Sequence, residues 1–168
     1  MKITCLSLAI LSLSFTLSVA AAQSSDSMLT AYYGVKDALI ATDVAKAQSQ
    51  ATTLATALKK MPTTEMSVAD KNALATAKAQ AVALSKTTDA EAQREAFEVL
   101  SASVITLAKA AQPAKRRART GGPAPTYVQF CPMAAEGKGA SWLSDSREIR
   151  NPYYGSKMLK CGSVKEEI

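Results

Sequence analysis

The chain has 168 residues, with 20 Lys and Arg against 14 Asp and Glu, a formal net charge of +6, three cysteines and no histidine. Without histidine there is no Ser-His-Asp or Cys-His nucleophile, no His-based zinc site and no c-type haem attachment. Hydrophobic residues make up 48% but aromatics only 5%, so the apolar mass is chiefly Ala, Leu, Val and Met, which favours helix over sheet in a single domain.

Residues 1–22 read as a signal peptide. Lys2 supplies the positive start, residues 5–20 are uncharged and rich in Leu, Ile, Ala and Ser, and Ala20-Ala21-Ala22 offers a small-residue cleavage site before Gln23. The rival reading, an N-terminal membrane anchor, suffers from the short and Ser-rich apolar run. No later apolar run is long enough to span a bilayer, so no membrane span is expected after cleavage. Export implies a periplasm or an equivalent oxidising compartment for the two remaining cysteines, Cys131 and Cys161.

Residues 23–111 read as a helical bundle, with helical periodicity over 27–111. The stripes are Met28-Tyr32-Val35-Leu39, then Val44-Ala47-Ala51-Leu54-Leu58, then Leu74-Ala77-Ala81-Leu84, then Phe97-Leu100-Val104-Leu107-Ala111. Each places one apolar face on a helix. Thr42 or Asp43 can cap the second helix and Pro62 closes it. Ser67 with Asp70 can start the third, and Thr88 or Asp89 the fourth, with Pro113 just past its end. Short connections make neighbours antiparallel, so the expected fold is mainly α: an up-down four-helix bundle, able to fold by itself. Met28, Met61 and Met66 are expected to fill gaps in packing.

Residues 112–126 read as a basic Pro/Gly-rich linker, with Lys115, Arg116, Arg117 and Arg119 ahead of Gly121-Gly122-Pro123. Such a run is a solvated tether or a contact for anionic lipid or an acidic partner. Nucleic acid is not expected, because no aromatics interleave the basic residues and the compartment is wrong.

Residues 127–168 read as a small irregular C-terminal unit with a short strand or two, the first at Tyr127-Val128-Gln129-Phe130. It holds the single tryptophan, three of the five tyrosines and both remaining cysteines. Cys131 and Met133 lie two apart, Met158 and Cys161 three apart. If the loop closes, four sulfurs converge, and soft sulfur selects Cu(I) or Ag(I) over hard ions. Zinc would ask for more Cys or His ligands. Two cysteines in an oxidising compartment also suit a Cys131–Cys161 disulfide. Both outcomes stay open, and they can alternate with redox state. Trp142, Tyr153 and Tyr154 are candidates for a site wall or a contact surface. No nucleophile motif or phosphate loop occurs, so an enzyme is not expected.

The string Tyr127-Val128-Gln129-Phe130-Cys131-Pro132-Met133-Ala134, with Gly139-Ala140-x-Trp142-Leu143-Ser144, Glu148-Ile149-Arg150-Asn151-Pro152-Tyr153-Tyr154-Gly155 and Met158-Leu159-x-Cys161-Gly162, resembles the family catalogued as domain of unknown function 3347. Gln93-Arg94-x-x-Phe97-x-x-Leu100-Ser101 resembles the same family. The resemblance implies a secreted bacterial protein in a metal-resistance context, since the domain also occurs at the C-terminus of periplasmic adaptors of copper/silver efflux pumps. Cys131-Pro132-Met133 is similar to the Cys-Pro-Met-His-Pro string of heavy-metal-binding modules, although Ala134 stands where that string has histidine. Two functions are therefore expected in competition. One is a periplasmic accessory protein that binds Cu(I) or Ag(I) through Cys131, Met133, Met158 and Cys161 and serves a pump adaptor. The other is a non-catalytic, disulfide-stapled interaction module of an envelope efflux assembly.

Overall fold

A computed structural model describes residues 24–118 and 125–168, with backbone alone for 113–118. The expected signal peptide at 1–22 and the centre of the expected linker, 119–124, lie outside the described residues. The periodic segments become four helices: α1 (24–40), α2 (Val44–Lys59), α3 (Val68–Lys86) and α4 (Ala90–Ala118). Three of the starts are set by side chains that satisfy the free N–H groups of a first turn. The Asp43 carboxylate accepts from the Lys46 N–H at 2.9 Å. Ser67 and Asp70 form a reciprocal capping box. Asp89 accepts from the Ala92 N–H at 2.8 Å. Thr42 does not cap α2. It takes a left-handed φ of 56° and makes the sharp turn between α1 and α2.

The stripes face inward as expected. Met28, Tyr32 and Val35 of α1, Leu54 and Leu58 of α2, Leu84 of α3 and Phe97, Leu100 and Val104 of α4 are fully buried. Buried alanines at 47, 51, 77 and 81 let α2 and α3 approach closely. At Gly34 in α1, a Cβ would stand 2.4 Å from the Gln50 amide oxygen of α2, so the glycine admits that side chain between the two helices. Ser27 lines a groove together with Thr56 and Lys60, and Gly34 lies against Gln50, so α1 and α2 run antiparallel. Met28 and Met61 are buried and Met66 packs on the core, as gap-fillers should.

Three strands follow: β1 (Tyr127–Cys131), β2 (Ala140–Ser144) and β3 (Ser163–Glu167), with a 3-10 turn at Gly155–Met158. The sheet is antiparallel in the order β2-β1-β3. Val128 faces Leu143, and Gln129 faces Trp142 across the β1–β2 pair. The sheet thus has one strand more than the one or two expected. β3 escapes a sequence reading because Ser-Val-Lys-Glu-Glu is almost entirely exposed and is held by backbone pairing to β1.

Two further expectations are corrected. Pro113 does not end α4, whose backbone continues to Ala118. Proline removes one helical hydrogen bond, but the Ala, Lys and Arg around it are strong helix formers and carry the backbone on. The C-terminal unit is also not a separate body. Val128, Cys131, Trp142, Leu143 and Tyr153 belong to the same core cluster as the helices. The reason lies in α1, which is buried on more than its predicted stripe: Leu29, Ala31, Lys36 and Ile40 are at most 5% exposed.

Candidate functional site

Cys131 ends β1 opposite Ala140 and is fully buried. Cys161 follows the 3-10 turn and is half-buried. Their Cα atoms are 5.7 Å apart, within disulfide reach, and the two are joined as a disulfide. The loop between them is set by Asn151, which is fully buried with its polar groups engaged. Its Nδ2 donates to the Cys161 carbonyl at 3.0 Å, its Oδ1 accepts from the Tyr153 N–H at 2.8 Å, and its N–H donates to the Leu159 carbonyl at 2.8 Å. The Cys161 N–H donates to the Met158 carbonyl at 3.0 Å.

Met133 and Met158 stay at the surface, 53% and 37% exposed. Tyr154, half-exposed, donates its hydroxyl hydrogen bond to the Met133 carbonyl and ties the two methionine-bearing segments together. The fold therefore brings the cysteines into contact and leaves two thioethers exposed on the same two segments. Trp142 and Tyr153 do not form a contact surface. Trp142 is 0% exposed and Tyr153 is buried, because their rings pack edge to face at 5.9 Å and Tyr153 also meets Phe97. Only Tyr154 of the three aromatic candidates reaches solvent.

Three side chains hold this unit on the helices; Tyr32 lies on a predicted stripe and Arg94 in the family string, but the sequence gives none of the three this role. The Tyr32 hydroxyl shares a 2.7 Å hydrogen bond with Ser101 Oγ and accepts from the Leu143 N–H. Arg94 is buried and donates to the Pro152 carbonyl, the Glu91 carboxylate and Thr42 Oγ1. Lys36, also buried, donates to Asp145 at 3.0 Å, pairs with Asp37 at 3.3 Å and sits over the Tyr33 ring. Partial burial raises the Asp145 carboxyl, but the hydrogen bond and charge of Lys36 outweigh it, and Asp145 titrates below its ordinary value. A signal for these residues was present. Lys36 follows Tyr32 by four, and Arg94 precedes Phe97 by three, so both are charges placed on an apolar stripe. A charge there is kept only with partners.

Other candidate sites carry less. A groove of about 380 Å³ between α1 and α2 is lined by Thr52, Thr53, Thr56 and Lys60, among others. Its three threonine hydroxyls donate back to carbonyls of their own helix. Among the described residues no group of three or more His, Cys, Asp or Glu is placed to hold a metal, and no helix is long and apolar enough to cross a membrane.

No curated protein and no solved structure matches the chain. A family model does match, over residues 28–116, which is α1 through most of α4 and more than half of the chain. The C-terminal strings that carry part of the resemblance lie outside the matched residues. The chain belongs to the DUF3347 family, described as protein of unknown function.

Proposed function

We propose that this is a periplasmic accessory protein of copper or silver handling, which binds a soft monovalent ion as cargo and passes it to the adaptor of an efflux assembly. One observation carries the reading. Cys131 and Cys161 lie with Cα atoms 5.7 Å apart, and exposed methionines stand two and three residues from them. Thiolates and thioethers together suit Cu(I) and Ag(I). The donor set fits the ion only in the reduced protein, because a disulfide offers no thiolate. Oxidised protein keeps two thioethers, so loading is tied to redox state. The reading is of a binding protein rather than an enzyme, and it rests there on the absence of histidine and of any nucleophile motif.

The test is an anaerobic Cu(I) competition titration. Reduced protein should bind one ion, and oxidised protein should bind it far more weakly. Met133→Leu and Met158→Leu keep side-chain volume while removing sulfur, and each should weaken binding without unfolding the protein. Wild-type affinity in both Leu variants would overturn the four-sulfur site. The second reading, a non-catalytic stapled interaction module, is favoured by the disulfide itself. Burial of Trp142 and Tyr153 narrows its contact surface to Met133, Tyr154 and Met158. That module would bind an adaptor equally well with and without copper.

A further inference from the structure

The two sulfurs of the disulfide are not equivalent. Cys131 is 0% exposed, belongs to the common core and sits on β1, the strand paired on both sides. Cys161 is half-buried and lies in a turn at the edge of that core. Its backbone is fixed: Asn151 holds its carbonyl, and Met158 accepts its N–H. The next residue, Gly162, has a φ of 140°, and a Cβ there would stand 2.9 Å from both the Phe130 carbonyl and the Trp142 ring. The turn is thus pressed onto the sheet, and of the two cysteines it joins only Cys161 keeps any solvent exposure, Cys131 having none. Thiol–disulfide exchange requires a thiolate to reach one sulfur, so access decides which sulfur is attacked.

We propose that Cys161 is a thiol-exchange site: an external thiol opens the disulfide by attack at Cys161, with Cys131 as the buried leaving sulfur. The thiolate forms a bond to Cys161 Sγ, and the Cys131–Cys161 bond breaks. Its electron pair leaves on Cys131 Sγ, which takes up a proton. A monothiol stops there as a mixed disulfide on Cys161. With a dithiol reductant, the second thiolate attacks the reductant's own sulfur in the mixed disulfide. Cys161 is released, the reductant is oxidised to its disulfide, and two thiols remain on the protein. This exchange would free the thiols that the proposed ion site needs, but it stands on the disulfide geometry and requires no ion.

The test uses the full oxidised protein, free of metal, with glutathione as the probe. After acid quenching, non-reducing peptide mapping locates the adduct. Glutathione should be found on the Cys161 peptide in about tenfold or greater excess over the Cys131 peptide. Comparable labelling, a majority on Cys131, or no native adduct under conditions that label the denatured chain would each overturn the proposal. Two variants, each with Cys5 also replaced by serine, check it independently. In Cys131→Ser the remaining Cys161 should react promptly with an aromatic disulfide reagent. In Cys161→Ser the remaining Cys131 should react only after denaturant is added, with circular dichroism reporting the fold of each. The reverse order would overturn the assignment. A copper titration that fails while the adduct still maps to Cys161 would remove the ion reading and leave the exchange site standing.

Discussion

Two tyrosine hydroxyls occupy backbone groups on the β2 edge of the sheet. β2 pairs with β1 on one side only, and unpaired edge groups invite further strand pairing. Tyr32 accepts from the Leu143 N–H, and Tyr153 donates to the Ser141 carbonyl at 2.7 Å. Tyr32→Phe strips a partner from both Leu143 and Ser101, and should cost about 1–3 kcal/mol in urea denaturation. Burial also pushes Tyr33 up to about 12 and holds Tyr32 and Tyr153 well above the ordinary 10.0. These phenols stay neutral in the folded protein where the unfolded chain would ionise. Their contribution to stability is therefore whole below pH 10.0 and is lost as pH rises from there through the Tyr33 value of about 12. Tyrosinate absorbance in an alkaline titration should lag in the native protein and jump as it unfolds. A curve that matches the urea-denatured chain would contradict this. Exposure also sorts the methionines. Peroxide should convert Met133 and Met158 to sulfoxides well before buried Met28 and Met61, as read by peptide mass mapping.

Helix starts obey local chemistry closely enough to be tested one cap at a time. Ser67 and Asp70 were legible as a start signal, and the capping box they form is complete. Ser67→Ala should lower stability by about 1 kcal/mol, seen as a fall in the urea midpoint with an unchanged slope. Apolar stripes were equally legible, because a 3.6-residue period is a property of the chain alone. The far end of α4 was not. Proline weighs against helix, yet the helix formers on either side of Pro113 prevail. β3 was not legible either, since its residues bury little and its pairing partner, β1, lies more than thirty positions away in sequence.

At the scale of the whole molecule, the staple and the shared core act together. The disulfide closes a separation of 30 residues. Reduction should remove about 3–4 kcal/mol on the chain-entropy estimate, measured by denaturation with and without reductant. The expectation that the bundle folds by itself now changes. Tyr153 meets Phe97 and the Leu143 N–H meets Tyr32 within one common core, Thr126 and Asp145 hold Tyr33 and Lys36, and Gly155 lies against the Ile40 carbonyl. A fragment of residues 24–118 would expose the helical side of that core to water. It should retain helical circular dichroism but melt with low cooperativity and bind a hydrophobic dye. A sharp transition without dye binding would restore the self-sufficient bundle.

Four helices, their inward faces, their caps and the pairing capacity of Cys131 and Cys161 were determined by the sequence alone. Each depends on residues near one another in the chain or, for the cysteines, on composition. Tertiary structure alone decided that α1 is buried on a second face, that Trp142 and Tyr153 are core and not surface, and that Lys36 and Arg94 clasp the two parts together. These outcomes depend on which distant segment lands on which face, and no periodicity encodes that. The same holds for the sulfurs. Spacing placed two Cys–Met pairs at the ends of a loop, but only packing made Cys131 inaccessible, Cys161 half-open, and Met133 and Met158 exposed. Burial is a property of the assembled core, and it differs between two cysteines that the sequence presents as equals.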